Sequence, residues 1–334
     1  MTTLLESVSQ QMTPEVLGKI GKAIGVDDAT VQKGLDVVGP VIQDGLAKKT
    51  QTTTGLDEIM SMLGGLESSG GGGLEAILSM LTKGSPAAGA ASAGALGGIF
   101  GPAVSAIGKT LSAKLGFDVT PLLSAAVPVV LGAIAGAAKS QNLDSKGIAN
   151  MLQTEQRNFM SNASPEVLGV LKEVETVTDK ANAIQQAFTA DEWTAIRLAP
   201  LATTFYVMSA SPSGLVGSVK ELTAAGDVMR DVLKDADATS LVNIAFGSAM
   251  QKVDGKPELD ENAPRESMIG MIRTAAVAVK AKMPGEAQSF ASALNTLAQK
   301  VAEAAKEGGF LGIGAKTISN EEQQALNEIR AALA

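Results

Sequence analysis

The sequence has 334 residues, of which 45% are hydrophobic and 19% are charged. This is enough apolar material for folded domains with cores, and it excludes a chain that is disordered overall. The sequence contains no Cys and no His, which excludes disulfides, thiolate nucleophiles, imidazole bases, structural zinc and thiolate iron–sulfur clusters. The net charge is −8 and the longest basic run is Lys48-Lys49, so we expect no nucleic-acid partner.

The composition favours an all-α fold. Aromatic residues make up only 3% of the chain, so the apolar fraction consists of Ala, Val, Leu, Ile and Met, which suit close packing between helices. The N-terminus lacks the basic start and the long apolar stretch of a secretory signal, and we therefore expect a cytoplasmic protein.

The first part of the chain contains a candidate internal repeat. The stretch 24–42 begins Ile-Gly-Val-Asp and ends Val-Gly-Pro-Val-Ile, and the stretch 115–130 begins Leu-Gly-Phe-Asp and ends Val-Pro-Val-Val. Each copy reads as a short helix, a glycine turn and a second helix that opens near a proline, followed by a Leu- and Met-rich segment. Such a unit must stack on its copy to bury its apolar face.

These patterns define four predicted regions. Residues 1–63 form the first helical repeat, and residues 102–155 form the second. Residues 64–101 form a linker rich in Gly, Ala and Ser, with one short helix at 74–81. Residues 156–334 form a bundle of amphipathic helices, because apolar residues recur there at steps of three and four.

Helix ends within the bundle are also marked. Gly308-Gly309 is expected to end one helix, and Ser319 with Glu322 forms a capping box that begins the last one. Asp237 or Thr239 is expected to cap the helix that follows them.

No motif singles out a catalytic, cofactor or metal site, and we expect none. Gly108-Lys109-Thr110 resembles the end of a phosphate-binding loop, but Ala103 stands where that loop needs its first glycine. Asp235 and Asp237 have the spacing of a calcium loop, but Ser240 and Phe246 replace the required glycine and glutamate. An enzyme that uses only carboxylates, Lys or Ser stays open, because the 35 acidic residues offer many possible catalytic pairs. Nothing in the sequence, however, singles out one pair.

Aromatic residues gather in one place, around a proline at position 200. They either line an apolar ligand pocket or form the centre of the bundle core, and the core is the favoured interpretation. The candidate pocket residues are Trp193, Arg197, Phe205 and Tyr206.

Residues 119–138 carry no charge and are numerous enough to cross a bilayer. Pro121, Pro128 and many Ala residues weaken that interpretation, so we expect two short buried helices or a small-residue surface for self-association. The residues expected to mediate self-association are Leu96, Ile99, Phe100, Val129, Val130 and Ile134.

The first 155 residues resemble the YidB-like family of helical bacterial proteins of unknown function. Three features carry the resemblance: the glycine-rich run after Met62-Leu63, the Gly-Phe-Asp turn at 116–118 and the Pro-Val-Val-Leu-Gly segment at 128–132. The resemblance implies a helical fold and a bacterial source, and it implies no catalytic residues. The tail at 304–319 resembles the ends of other uncharacterised bacterial proteins.

The sequence therefore predicts a non-enzymatic helical interaction or scaffold protein, without a cofactor, that forms a homo-oligomer through small-residue apolar surfaces. Two alternatives stay open. One is a carrier that holds an apolar small molecule or lipid between helices, and the other is a membrane-peripheral protein that uses residues 119–138.

Overall fold

The computed structural model describes residues 13–68, 94–210, 219–249, 259–260, 263–307 and 318–334. These residues contain thirteen α-helices with defined bounds, further helical residues at 94–100 and no β-strand. The predicted all-α fold class is confirmed. The expected short helix at 74–81 lies outside the described residues.

The chain divides into two compact units, Met1–Thr178 and Asp179–Ala334. Residues 156–178, which the sequence patterns grouped with the C-terminal bundle, therefore lie in the first unit. The helices of the first unit are α1 Pro14–Ile24, α2 Asp28–Lys49, α3 Thr53–Ser68, α4 Val104–Leu115, α5 Thr120–Ser140, α6 Ser145–Asn162 and the beginning of α7 Pro165–Gln186.

The first unit contains two similar sets of three helices. We call α1–α3 the first half, and α4–α6 with the helical residues 94–100 the second half. In each half, a glycine with positive φ follows the short helix: Gly25 has φ 79° and Gly116 has φ 81°. An aspartate two residues later accepts a backbone N–H, from Thr30 to Asp27 and from Thr120 to Asp118. The glycine places the chain in a left-handed turn that other residues rarely adopt.

The long helix of each half contains a proline, Pro40 in α2 and Pro128 in α5. The expectation of two short helices over residues 119–138 is wrong, because α5 is one helix of 21 residues. Pro128 removes only the hydrogen bond to the carbonyl of Ser124, and both residues are partly exposed. Water can therefore satisfy that carbonyl, and the helix continues.

The core of the first unit forms where α2 packs against α5, α6 and α3. Glycines on α2 allow close approach. A Cβ atom at Gly45 would lie 2.5 Å from Cε1 of Phe100 and 2.8 Å from Cγ2 of Ile99, and one at Gly34 would meet Leu122 and Phe117. Side chains from the second half therefore occupy the space that larger residues on α2 would fill.

The predicted boundaries of both repeats fall inside helices. Position 63 lies within α3, and position 155 lies within α6. In α3 the helix continues through Gly64 and Gly65, although glycine is a poor helix former.

The second unit comprises the end of α7, α8 Ala190–Met208, α9 Val219–Leu233, α10 Leu241–Ala249, α11 Arg265–Lys282, α12 Pro284–Glu307 and α13 Asn320–Leu333. Helix α8 is central, because it packs against α10, α11, α12 and α13. Pro200 lies inside α8 and is buried. The aromatic helix is thus the centre of this unit's core.

Two predicted helix ends can be compared with the structure. The capping box of Ser319 and Glu322 begins α13. Gly308-Gly309, which is expected to end α12, lies outside the described residues. The expected cap of α10 is wrong: the Ser240 hydroxyl accepts the backbone N–H of Asn243, while Asp237 accepts that of Thr239 within the preceding turn.

Candidate functional site

The most distinctive surface of the first unit is the outer face of α5, which we define by Pro121, Ser124, Pro128, Gly132 and Gly136. These residues recur at steps of three and four, so they lie along one side of the helix. All of them are partly or fully exposed, whereas Leu122, Val129 and their apolar neighbours point into the core. No side chain on this face is larger than proline, and none is charged.

Two glycines open this face further. Gly132 and Gly136 are four residues apart, the spacing that places two glycines on successive turns of one helix side. A Cβ atom at Gly136 would meet nothing within 4 Å. Helix α3 packs against α5, and its Gly64 and Gly65 are exposed, so that a Cβ atom added at either position would meet nothing within 4 Å. The backbone of α5 is therefore accessible to a partner at close range.

Helix α5 also resembles a membrane span in length and composition. Among the described residues it is the one helix that is both long and apolar enough, and 56% of its most apolar window is buried inside the protein. A largely buried core helix of a soluble protein passes the same test, so hydropathy alone does not assign α5 to a membrane.

The side chains expected to mediate self-association lie in the core. Their exposed fractions are between 0% and 6%, and Ile99 and Phe100 cover Gly45 of α2. In this fold they present no surface to a second molecule, because helices of the same chain cover them. The buried residues are Leu96, Ile99, Phe100, Val129, Val130 and Ile134.

Helix α2 is the counterpart of α5 in the first half. The edge of α2 that corresponds to the outer face of α5 is polar and is covered by other helices of the chain. The side-chain amide of Gln156 on α6 donates to Asp44 of α2, and Nε2 of Gln153 donates to Oγ1 of Thr50 at 3.2 Å. Lys48 forms ion pairs with Asp44 at 3.1 Å and with Glu175 of α7 at 2.8 Å. Burial lowers the pKa of Lys48, but the hydrogen bond to Glu175 and the charge of Asp44 outweigh it, so this pKa is raised.

One polar side chain of α2 lacks partners. Gln43 is 2% exposed, and neither its amide nitrogen nor its amide oxygen has a hydrogen bond. Aligning Pro40 with Pro128 places Leu131 of α5 at the position of Gln43. A buried amide without partners carries a desolvation cost that a leucine does not.

In the second unit, a polar cluster joins three helices. The Tyr206 hydroxyl donates to Oε2 of Glu328, and the Arg265 guanidinium lies 3.9 Å from the centre of the Tyr206 ring. Arg265 donates to the Tyr206 carbonyl at 3.0 Å, to Oγ of Ser209 at 2.8 Å and to Glu328 at 3.3 Å. Nε2 of Gln324 donates to the other oxygen of Glu328 at 2.8 Å. These bonds tie α13 to α8 and α11.

The pKa values in this cluster follow from those contacts. Burial and the hydrogen bond to Glu328 raise the pKa of Tyr206. Hydrogen bonds from Tyr206 and Gln324, together with the charge of Arg265, hold the pKa of Glu328 below its ordinary value. The tyrosine therefore stays neutral and the glutamate stays ionised at neutral pH, which is the state that preserves the tie.

An open cleft of about 410 Å³ lies beside this cluster. Of the four predicted pocket residues, only Tyr206 lines it. Trp193 stacks on Phe188 with ring centres 6.4 Å apart, Phe205 is buried, and Arg197 is partly buried. Polar and apolar atoms contribute about equally to its lining, which comprises Tyr206, Ser209, Ala210, Arg265, Glu266, Ile269, Glu321, Gln324 and Glu328.

The sequence motifs considered for nucleotide or metal binding lie in ordinary helical surroundings. Gly108, Lys109 and Thr110 occupy the middle of α4 rather than a loop before a helix. Over the described ranges, no group of three acidic residues is arranged to hold a metal ion.

The fold defines an all-α protein of two helical units, the first built from two similar three-helix halves. Residues 6–137 match the family model described as "Bacterial protein of unknown function (DUF937)". The match covers only the N-terminal part of the chain, and the resemblance to YidB-like proteins is consistent with it. No curated protein and no solved structure matches the chain.

Proposed function

We propose that the protein is a non-enzymatic helical interaction protein that self-associates through the outer face of α5. The observation that carries the proposal is the uncharged line of small residues ending in Gly132 and Gly136, with open space above Gly136. Small residues four apart let two helix backbones approach closely, so that many weak contacts form along the line.

The character of the described surface supports this mode of association. Among the described side chains, the large hydrophobic ones left exposed are Met160 and Val277, on different units. Single exposed apolar residues are ordinary and do not form a binding patch. A partner that recognises a broad apolar surface is therefore less well matched than one that packs its backbone against α5.

Charge also favours a second copy at this place. The protein carries a net charge of −8, which opposes association through most of its surface. The outer face of α5 has no charged residue before Lys139, so two copies can meet there without placing like charges in contact.

The test compares two exposed helical glycines of the first unit. Gly136→Leu fills the open space on α5, and Gly169→Leu adds the same side chain to α7, where a Cβ atom also meets nothing within 4 Å. We expect the first variant to weaken dimerisation by at least about tenfold, since a blocked close contact costs on the order of 1.4 kcal/mol or more. The second variant should match the parent protein.

Light scattering and sedimentation over a concentration series measure the association. A parent protein that stays monomeric throughout, or a Gly136→Leu variant that dimerises as the parent does, would contradict the proposal. Flotation with liposomes distinguishes the membrane alternative: co-flotation of the parent that Gly136→Leu preserves or strengthens would assign the face to lipid instead of a second copy, because leucine partitions into a bilayer better than glycine.

A further inference from the structure

The two halves of the first unit exchange their third helices. Helix α6 of the second half packs against α2 of the first, and α3 of the first half packs against α5 of the second. The long helices α2 and α5 also pack directly against each other. The contact between halves is therefore reciprocal.

Neither half can bury its apolar residues alone. Gly45 of α2 is covered by Ile99 and Phe100 of the second half, and Gly34 of α2 is covered by Leu122 and Phe117. Separating the halves would expose these side chains to water, at a cost that grows with the apolar area uncovered. Each half therefore requires a complement of the other kind.

The complement need not belong to the same chain. Helix α3 ends at Ser68, and the described chain resumes at Gly94, so 25 residues connect the halves. At full extension such a connection reaches roughly 80 Å, more than twice the length of about 33 Å expected for the 22-residue helix α2. The connection is thus long enough both when the two halves of one chain pack against each other and when each packs against a half of a second copy.

Two glycines lie where the chain would change direction if the second half packed against another copy. Gly64 and Gly65 occupy the last turns of α3, and both are exposed. Glycine in a helix interior costs about 1 kcal/mol relative to alanine, so these two residues lower the intrinsic helix stability of this end of α3.

We propose that the first unit pairs in trans, so that the first half of one copy packs against the second half of another. A reciprocal pair of copies satisfies every contact between halves and gives a closed dimer. Pairing in trans becomes significant when the protein concentration approaches the local concentration set by the connection, on the order of millimolar. This inference is independent of the outer face of α5, although both it and the proposed function require a second copy.

The absence of Cys from the sequence provides a direct test. One preparation carries Thr50→Cys and a differently tagged one carries Gln153→Cys, because these two residues are hydrogen-bonded across the halves. The copies are mixed, partially unfolded together in urea, returned to native conditions and treated with a short thiol-specific cross-linker. Each copy contributes one thiol, so a cross-link reports pairing in trans.

We expect a cross-linked heterodimer whose yield rises at least about tenfold when the mixing concentration is raised a hundredfold toward millimolar. The matched control is Asp231→Cys mixed with Lys300→Cys, an ion pair within the second unit, which should yield no heterodimer. A double variant carrying Thr50→Cys and Gln153→Cys confirms that the cross-linker spans the two positions in one chain.

The outcomes separate the two proposals. Dimers in light scattering without the Thr50–Gln153 heterodimer would overturn pairing in trans and leave the proposed function standing. A heterodimer that forms equally well in the Gly136→Leu background would support pairing in trans as a contact separate from the outer face of α5, and loss of dimers other than this heterodimer in that background would support the proposed function. Equal yields from the test and control mixtures would overturn the inference, because they would show random cross-linking.

Discussion

The edges of α2 and α5 make an instructive comparison, because the two helices occupy equivalent places in the two halves. Aligning Pro40 with Pro128 places Asp44 opposite Gly132 and Lys48 opposite Gly136. The α2 edge is closed by polar contacts from α6 and α7, whereas the α5 edge carries only small residues and stays open. Contacts within the chain therefore cover the edge of α2, whereas the equivalent edge of α5 stays exposed.

Removing a large side chain that packs against α2 should give the largest loss of stability. Phe100→Ala is expected to lower the free energy of unfolding of the first unit by about 3 to 5 kcal/mol, because it leaves a cavity above Gly45. Urea unfolding followed by circular dichroism measures the change, and Met160→Ala at an exposed position is the control. An unfolding midpoint of Phe100→Ala equal to that of the parent at the same protein concentration would show that this side chain does not fill the space above Gly45.

Gly45→Ala should sharpen the comparison, since α5 carries Ala133 at the equivalent position. On α2 the added methyl group would collide with Phe100 and Ile99, and we expect a loss of about 1 to 3 kcal/mol. Gly169→Ala, where space is open, should stabilise by up to about 1 kcal/mol through helix propensity. Thermal unfolding gives the sign of each change, and stabilisation by both would show that the α2 contact is loose.

Gln43→Leu also makes α2 resemble α5, but here we expect a gain in stability. Leu131 occupies the equivalent position, and the Gln43 amide has no partner. We expect stabilisation by about 1 to 2 kcal/mol, because an unsatisfied buried amide is removed. Gln153→Leu is the control and should destabilise, since it breaks the bond to Thr50. Chemical denaturation measures both, and destabilisation by Gln43→Leu would indicate that the amide is satisfied in solution.

Lys48→Ala should give the smallest effect, at most about 1 kcal/mol, because the pair with Glu175 is partly exposed. The pKa of Lys48 is raised above its ordinary value of 10.5. Its contribution is therefore complete below that pH and is lost as the pH rises through the raised pKa. Unfolding measured between neutral and strongly alkaline pH should show a smaller alkaline loss in Lys48→Ala than in the exposed control Lys33→Ala.

Local signals in the sequence predicted much of this framework. The glycine turns at 25 and 116 and the capping box at Ser319 depend on neighbouring residues, so a single stretch of sequence reveals them. The continuity of α5 could not be predicted in that way. It depends on whether the carbonyl freed by Pro128 reaches water, which is a property of the packed structure.

Contacts between distant residues were also beyond the sequence patterns. Leu96, Ile99 and Phe100 lie in a stretch of small residues that suggested an exposed surface, but helices of the same unit cover them. The tie between Tyr206 and Glu328 joins residues 122 positions apart, and helical periodicity gives no information about such pairs. Burial of one helix by another has to be seen in three dimensions.

The stacking of Trp193 on Phe188 has a practical consequence for spectroscopy. The sequence contains one Trp and one Tyr, and both lie in the second unit, so intrinsic fluorescence reports on that unit alone. The first unit contributes to the far-ultraviolet signal but is almost silent in emission. Comparing the two signals during one melting experiment therefore reveals whether the units lose their structure together or in sequence.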